Sequence, residues 1–157
     1  ARLGGVVLDA WEVFAPMLWA DRLINVPVVK DHGLTRLTCG LKNAYGLLGG
    51  TRARLHQQIN QSIVDLSIAF RPTLTVVDAT RVMLRNGPTG GRLDDVAPVG
   101  AIAAGTDAVA LDAWGATLLG VDPGQVPHVV LAESRGVRSS TRSQIIAFAA
   151  ATMLAST

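Results

Sequence analysis

The chain has 157 residues, of which 49% are hydrophobic, 17% are charged and 4% are aromatic, and its formal net charge is +2. This length predicts a single domain, and a core built mainly from Val, Leu, Ile and Ala is typical of a sheet covered by helices. The sequence contains no apolar run of roughly 18 residues, no cluster of basic residues and only one cysteine, which argues against a transmembrane helix, a nucleic-acid-binding surface and an internal disulfide.

The first half of the chain contains a predicted strand and a long predicted helix. The β-branched run Leu23–Val29 predicts a buried strand, in which Pro27 favours an edge position or a bulge because proline cannot donate to the ladder. Leu37–Leu48 has helix-like spacing that glycines interrupt. Within Thr51–Phe70, apolar residues recur every three to four positions, so this range predicts an amphipathic helix that ends before Pro72.

The second half continues the alternation of strands and helices. Strands are predicted at Leu74–Val77 and Val99–Ala104, with a Gly/Pro-rich loop at Arg85–Asp94 between them. Thr106 or Asp107 is expected to cap a helix up to Leu119, Asp122-Pro123 to open a helix to about Glu133, and Gln144–Phe148 to form a last strand or to begin a helix through Ala155. This order predicts an α/β fold with a mostly parallel sheet flanked by helices on both faces.

The predicted sheet indicates where a ligand would bind. In open parallel sheets, ligands bind beyond the carboxyl ends of the strands. The residues expected to meet there are Lys30–His32 after the first strand, Asp78 after the second and Gly105–Asp107 after the third.

Most of the chemically interesting side chains fall between residues 21 and 56. The chain has twelve arginines but only two lysines, and both lysines lie in this stretch. Lys30 and His32 lie on one side of a strand, and Arg52 and His56 share one face of a helix. The neighbouring ammonium group should bias His32 toward the neutral state that a general base requires. The full set suits a carboxylate or phosphate held by point charges and hydrogen bonds, and it comprises Lys30, His32, Lys42, Asn43, Arg52 and His56.

Other interpretations of these residues, besides anion binding, remain open. The alternative for the 21–56 stretch is a solvated loop with ordinary surface charges. His32, Cys39 and His56 are metal-ligand residue types, but their spacing matches no compact zinc pattern, so no metal site is predicted. The Asn86–Gly91 loop offers backbone N–H groups to a phosphate but lacks the P-loop pattern, and a surface turn is the better interpretation.

Residues 25–43 contain a specific pattern, Asn-x-Pro-x-x-Lys-x-His-Gly followed by Leu-Lys-Asn. In this pattern, and over roughly residues 18–136, the chain resembles the domain of unknown function 362 family of uncharacterised prokaryotic proteins. Carried over residue by residue, the resemblance implies site roles for Lys30, His32, Lys42, Asn43 and His56, and more weakly for Asp78, Asn86 and Asp107.

The resemblance also implies features that this chain lacks. Some family members contain ferredoxin-type cysteine modules, whereas Cys39 by itself cannot hold an iron–sulfur cluster. Others have export signals, and because none is seen here we favour a cytoplasmic location, with export as the alternative. The family domain begins upstream of Ala1, so we interpret residues 1–157 as a single α/β domain without the N-terminal part of the family domain.

Three hypotheses for function follow. The preferred one is binding of an anionic small molecule or unknown cofactor, with Lys30, His32 and His56 as the candidate catalytic residues; whether turnover follows is left open. Its predicted ligand-binding residues are Lys42, Asn43, Arg52, Asp78, Asn86 and Asp107. The second hypothesis is an accessory module that docks an iron–sulfur redox partner. The third is a structural domain that forms homo-oligomers, which the apolar run at 145–155 favours.

Overall fold

The protein folds around a sheet whose strands are joined by helices and turns. The computed structural model describes residues 1–137 and 146–149. Within them, six strands lie in the order β3-β2-β4-β5-β6, and β1 also pairs with β4. The strands are β1 Ile24–Asn25, β2 Val28–His32, β3 Arg36–Thr38, β4 Leu74–Met83, β5 Val96–Gly105 and β6 Ile146–Ala149. The α-helices are α1 Gly40–Asn43, α2 Ile59–Ala69, α3 Ala108–Leu118 and α4 Pro127–Ser134.

The sheet is mixed in direction. β1 and β2 run parallel to β4, whereas β3 pairs antiparallel with β2, β5 with β4, and β6 with β5. The α/β class is confirmed. The parallel pairing that we expected is found between β1 and β4 and between β2 and β4. β5 runs the other way because the residues between Met83 and Val96 contain no α-helix that would carry the chain back across the sheet.

The helices of the described residues form one layer. α1 contacts α2 and α3, and α4 also contacts both of them. On the opposite face of the sheet, Val28, Ile102 and Phe148 lie in register across neighbouring strands and have exposed side chains. The helices that we expected on this second face are therefore not confirmed.

The helix predicted at Thr51–Phe70 has two parts. It begins as a 3₁₀ helix at Arg52–Gln58, where Leu55 is the buried side chain. It continues as α2 from Ile59, where most side chains pack into the core. The α-helix ends before Pro72, as expected, because proline restricts the residue that precedes it.

Single residues in the sequence correctly predicted where several strands and helices begin or end. The predicted strand Leu23–Val29 is interrupted beside Pro27, which separates β1 from β2. Asp107 caps α3, because its carboxylate accepts hydrogen bonds of 3.0 and 3.1 Å from backbone N–H groups of the first turn. For Gln144–Phe148 we expected either a strand or the start of a helix, and the strand is confirmed within β6. The rest of the helix alternative, as far as Ala155, lies outside the described residues.

The hydrophobic core lies between the sheet and the helical layer. It is built from aliphatic side chains of β2, β4, α2 and α3, as the low aromatic content predicts. Its largest fully buried members include Leu8, Leu37, Leu41, Ile63, Leu66, Leu111, Val29, Val64, Val77, Val82 and Val126. Because Val29 and Leu37 belong to this core, the alternate residues of β2 and β3 are turned away from it.

Candidate functional site

A cavity of about 310 Å³ lies beside the last residues of β2. Its lining comes from β2, β3, α1, the turn after α1, the 3₁₀ helix before α2 and the loop between β4 and β5. The lining residues are Lys30, His32, Thr38, Lys42, Asn43, Tyr45, Gly46, Arg52, His56 and Pro88. We call this the cationic cavity. It brings together all six residues of the cluster that was predicted from residues 21–56.

The pairing of β2 with β3 sets one side of the cationic cavity. Lys30 lies directly opposite Thr38, and His32 lies opposite Arg36. Because alternate residues of a strand point to the same face, Lys30 and His32 project together toward the cavity. Asn43 is fixed at the end of α1, where its Nδ2 donates a 2.7 Å hydrogen bond to Oδ1 of Asn25.

Positive charge dominates the cationic cavity. The pKa of Lys42 is lowered, first by burial and then by repulsion from Lys30 and Arg52. The Lys42 ammonium group lies 5.4 Å from the centre of the Tyr45 ring, within the range of a cation–π interaction. Tyr45 also binds the 3₁₀ helix, because its hydroxyl donates a 2.8 Å hydrogen bond to the carbonyl of Arg52. No carboxylate is among the lining residues.

His32 is nearly buried and its ring orientation is fixed by the backbone. Its Nδ1 accepts hydrogen bonds from the N–H of Leu34 at 3.1 Å and of Thr35 at 3.3 Å. The pKa of His32 is lowered from 6.5 to about 4, mainly because burial disfavours the imidazolium and next because Lys42 repels it. The neutral state that we expected for His32 therefore agrees with the direction of this shift.

Thr38 is a lining residue that the sequence analysis did not select. It is only 8% exposed, and its hydroxyl has no hydrogen-bond partner in the described part of the chain. A buried hydroxyl without a protein partner costs stability, so Thr38 has a donor available for a ligand oxygen or for an ordered water. Thr38 could not be selected from the sequence, because only the register of β3 against β2 places it opposite Lys30.

The Gly87-Pro88 turn closes another side of the cationic cavity. The Asp31 carboxylate accepts a 3.1 Å hydrogen bond from the Gly87 N–H, which directs this charge toward the turn. A Cβ atom on Gly87 would collide with the backbone carbonyl of Asp31, so only glycine allows this close approach. Pro88 thereby reaches the cavity, which joins the 86–91 loop to the site.

Three predicted ligand-binding residues are not among those that line the cationic cavity. Asp78 is in the middle of β4, which continues to Met83, and its carboxylate accepts hydrogen bonds from Thr80. The side chain of Asn86 donates to Asp95 at 3.1 Å. Asp107 lies at the other end of the sheet, because β5 runs antiparallel to β4 and Gly105 is paired with Thr75.

Buried polar residues support the turn that carries Lys42. The Asp112 carboxylate, which is fully buried, accepts hydrogen bonds of 3.2 and 3.3 Å from the Leu41 N–H at the start of α1. His128 lies 3.6 Å from the same carboxylate and is also fully buried. Burial, and then Asp112, raise the pKa of the neighbouring Cys39 thiol. Cys39 therefore packs as a core residue, and the described residues contain no group of His, Cys, Asp or Glu side chains that could hold a metal ion.

A second cavity of about 440 Å³ has a different character. Its lining is mainly apolar, with members from β1, α1 and the end of α2, and Asn43 borders both cavities. Leu23, Leu41 and Phe70 are typical of its wall. We place the candidate site in the smaller cavity, because several charged and polar side chains converge there, whereas Arg71 is the sole cationic residue among those that line the larger one.

The fold and the cavity define an α/β domain with a cation-lined cavity beside β2, the second strand from one edge of the sheet. The chain belongs to the family described as domain of unknown function (DUF362), whose model matches residues 2–117. A thylakoid-associated protein from Synechocystis sp. is 31% identical over 126 residues, which cover 75% of this chain. The chain spans 38% of the length of that relative. No solved structure matches the chain. In the described residues, no helix has the length and hydropathy needed to cross a membrane.

Proposed function

We propose that this domain binds a small oxyanion, a carboxylate or a phosphate, in the cationic cavity. The observation that supports this most is the convergence of Lys30, Lys42 and Arg52 on one cavity that no carboxylate lines. Like charges held together disfavour one another unless an opposite charge joins them, and the lowered pKa of Lys42 reflects that cost. A bound anion would reduce this repulsion between the cationic side chains.

The lining groups suit such a ligand in complementary ways. Arg52 offers a planar pair of donors that matches a carboxylate or phosphate edge, whereas the two lysines act as point charges. The buried Thr38 hydroxyl has no hydrogen-bond partner among the described residues and can donate to one ligand oxygen. Because the anion favours the charged ammonium form, binding should raise the pKa of Lys42 toward its ordinary value.

The test is titration calorimetry with inorganic phosphate and with acetate, using the wild-type chain and the variants Lys30→Met and Lys42→Met. Methionine keeps the unbranched shape of lysine but removes its charge. Arg22→Met is the matched control, because it removes one exposed positive charge outside the cationic cavity. We expect each lysine variant to lose at least about 10-fold in affinity and the control to lose less than about 2-fold.

Equal weakening by the control would mean that only the overall charge matters, and the proposal would then be wrong. The same holds if both lysine variants fold and bind as tightly as wild type. A catalytic role for Lys30, His32 and His56 and docking to an iron–sulfur partner both stay predictions. As-purified metal analysis and assays of turnover address them separately.

A further inference from the structure

We infer that His32 presents a fixed Nε2–H donor, and no lone pair, to the ligand of the cationic cavity. That the ligand is an oxyanion rests on the proposed function. The position of the proton follows from the contacts of His32 alone. Its ring is held by residues of its own β2–β3 turn, so the arrangement exists before any ligand binds.

The backbone determines which nitrogen is protonated. A neutral imidazole has one N–H group and one lone pair. The Nδ1 atom accepts from two N–H groups, those of Leu34 and Thr35, so its lone pair must point toward them. A proton on Nδ1 would face two other donors, one of which belongs to a residue that is fully buried. The single proton of the neutral ring is therefore on Nε2.

The charges around His32 keep the ring in this state. Burial has the largest effect on its pKa, and Lys42, His56 and His128 lower it further. Asp31, whose Oδ2 accepts a hydrogen bond from the Gly87 N–H, opposes them, but burial and Lys42 outweigh it. The ring therefore stays neutral at pH 7.

This tautomer changes the chemistry that the sequence suggested. A general base needs an accessible lone pair, and that of His32 is already used by the backbone. The Nε2 edge instead adds a neutral donor to the ammonium and guanidinium groups of the cationic cavity. Such a site selects a ligand oxygen that carries no proton, and it should discriminate against an amide that turns its NH₂ group toward His32.

The first experiment reads the tautomer directly. The chain contains three histidines, so ¹⁵N labelling of histidine gives few ring signals, and His32→Asn assigns those of His32. We expect a pyrrole-type shift for Nε2 and a pyridine-type shift for Nδ1 from pH 5.5 to pH 8. A proton on Nδ1, or an imidazolium at pH 7, would overturn the inference whether or not any anion binds.

The second experiment distinguishes the acceptor role of Nδ1 from the donor role of Nε2. Asparagine places Oδ1 as many bonds from Cβ as Nδ1, so His32→Asn keeps the acceptor for the backbone and removes the Nε2–H donor. Glutamine places its amide nitrogen near the Nε2 position, so His32→Gln keeps the donor and removes the acceptor. We expect His32→Asn to bind phosphate about 10-fold more weakly at near-wild-type stability, and His32→Gln to bind within about 3-fold at lower stability.

The opposite pattern, or unchanged binding by a folded His32→Asn, would overturn the donor role. If His32→Gln does not fold, His32→Asn and the ring shifts of the wild-type chain still decide the question. If wild-type protein binds neither phosphate nor acetate, the proposed function fails, and the ring shifts then show separately whether the tautomer is as inferred.

Discussion

The unfolding free energy should fall as the pH is lowered from 6.5 toward 4, because His32 is neutral in the folded protein. In the unfolded chain its pKa is close to the ordinary 6.5, whereas in the folded protein it is about 4. Between these values the unfolded state binds more protons, so acid favours unfolding. The contribution is complete above pH 6.5 and is lost by about pH 4.

The size of the effect follows from the same two values. At about 1.4 kcal/mol for each pH unit, the interval from 6.5 to about 4 corresponds to about 3 kcal/mol in total. Between pH 7.5 and pH 5, where most carboxylates stay ionised, the expected loss is about 2 kcal/mol. This is a large part of the stability of an ordinary domain, so it is measurable.

The assay is urea unfolding at pH 7.5, 6 and 5, in buffers without phosphate or carboxylate, because bound anions would add their own stabilisation. His32→Asn is the control, since it keeps the acceptor for Leu34 and Thr35 but cannot be protonated in this range. We expect wild type to lose about 2 kcal/mol more than this variant between pH 7.5 and pH 5. Equal pH dependence of the two proteins would refute the reasoning.

Three further substitutions test the surroundings of the cationic cavity. Thr38→Val should raise the unfolding free energy by about 1 kcal/mol and weaken phosphate binding, because it removes a buried hydroxyl that lacks a protein partner; lower stability would contradict this. Gly87→Ala should cost about 2 kcal/mol in urea unfolding, because its Cβ meets the Asp31 carbonyl, and wild-type stability would contradict the close approach. Asp112→Ala should cost about 2 kcal/mol, because it leaves the buried Leu41 N–H without its acceptor, and a loss below about 1 kcal/mol would show that this support is weak.

Much of the candidate site could be predicted because its signals are local. Lys30 and His32 share a face simply because the chain is extended there, and the residue types of the cluster identify the kind of ligand. The interruption at Pro27 and the cap formed by Asp107 also follow from the chemistry of single residues. The cationic cavity gathers all six members of that cluster, from β2 to His56.

Two predicted residues that do not line the cationic cavity were selected from an assumed strand direction. Asp78 and Asp107 were assigned to the site on the assumption that successive strands end at the same edge of the sheet. β4 continues beyond Asp78, and β5 returns antiparallel, so Asp107 is carried to the far end. The predicted loop at Arg85–Asp94 has no helix to carry the chain back across the sheet, so the sequence itself favoured an antiparallel return of the next strand.

By itself, the order of residues determined which side chains are available and which neighbours along the chain share a face. The close approach of Gly87 to Asp31 is a tertiary result, and so is the gathering of Lys42, Arg52 and His56 beside β2, whereas the nitrogen choice on His32 follows from N–H groups two and three residues away. Both tertiary features depend on which distant segment packs within contact distance of β2. That distance is set by how the elements pack, because propensities and periodicity act only over a few residues.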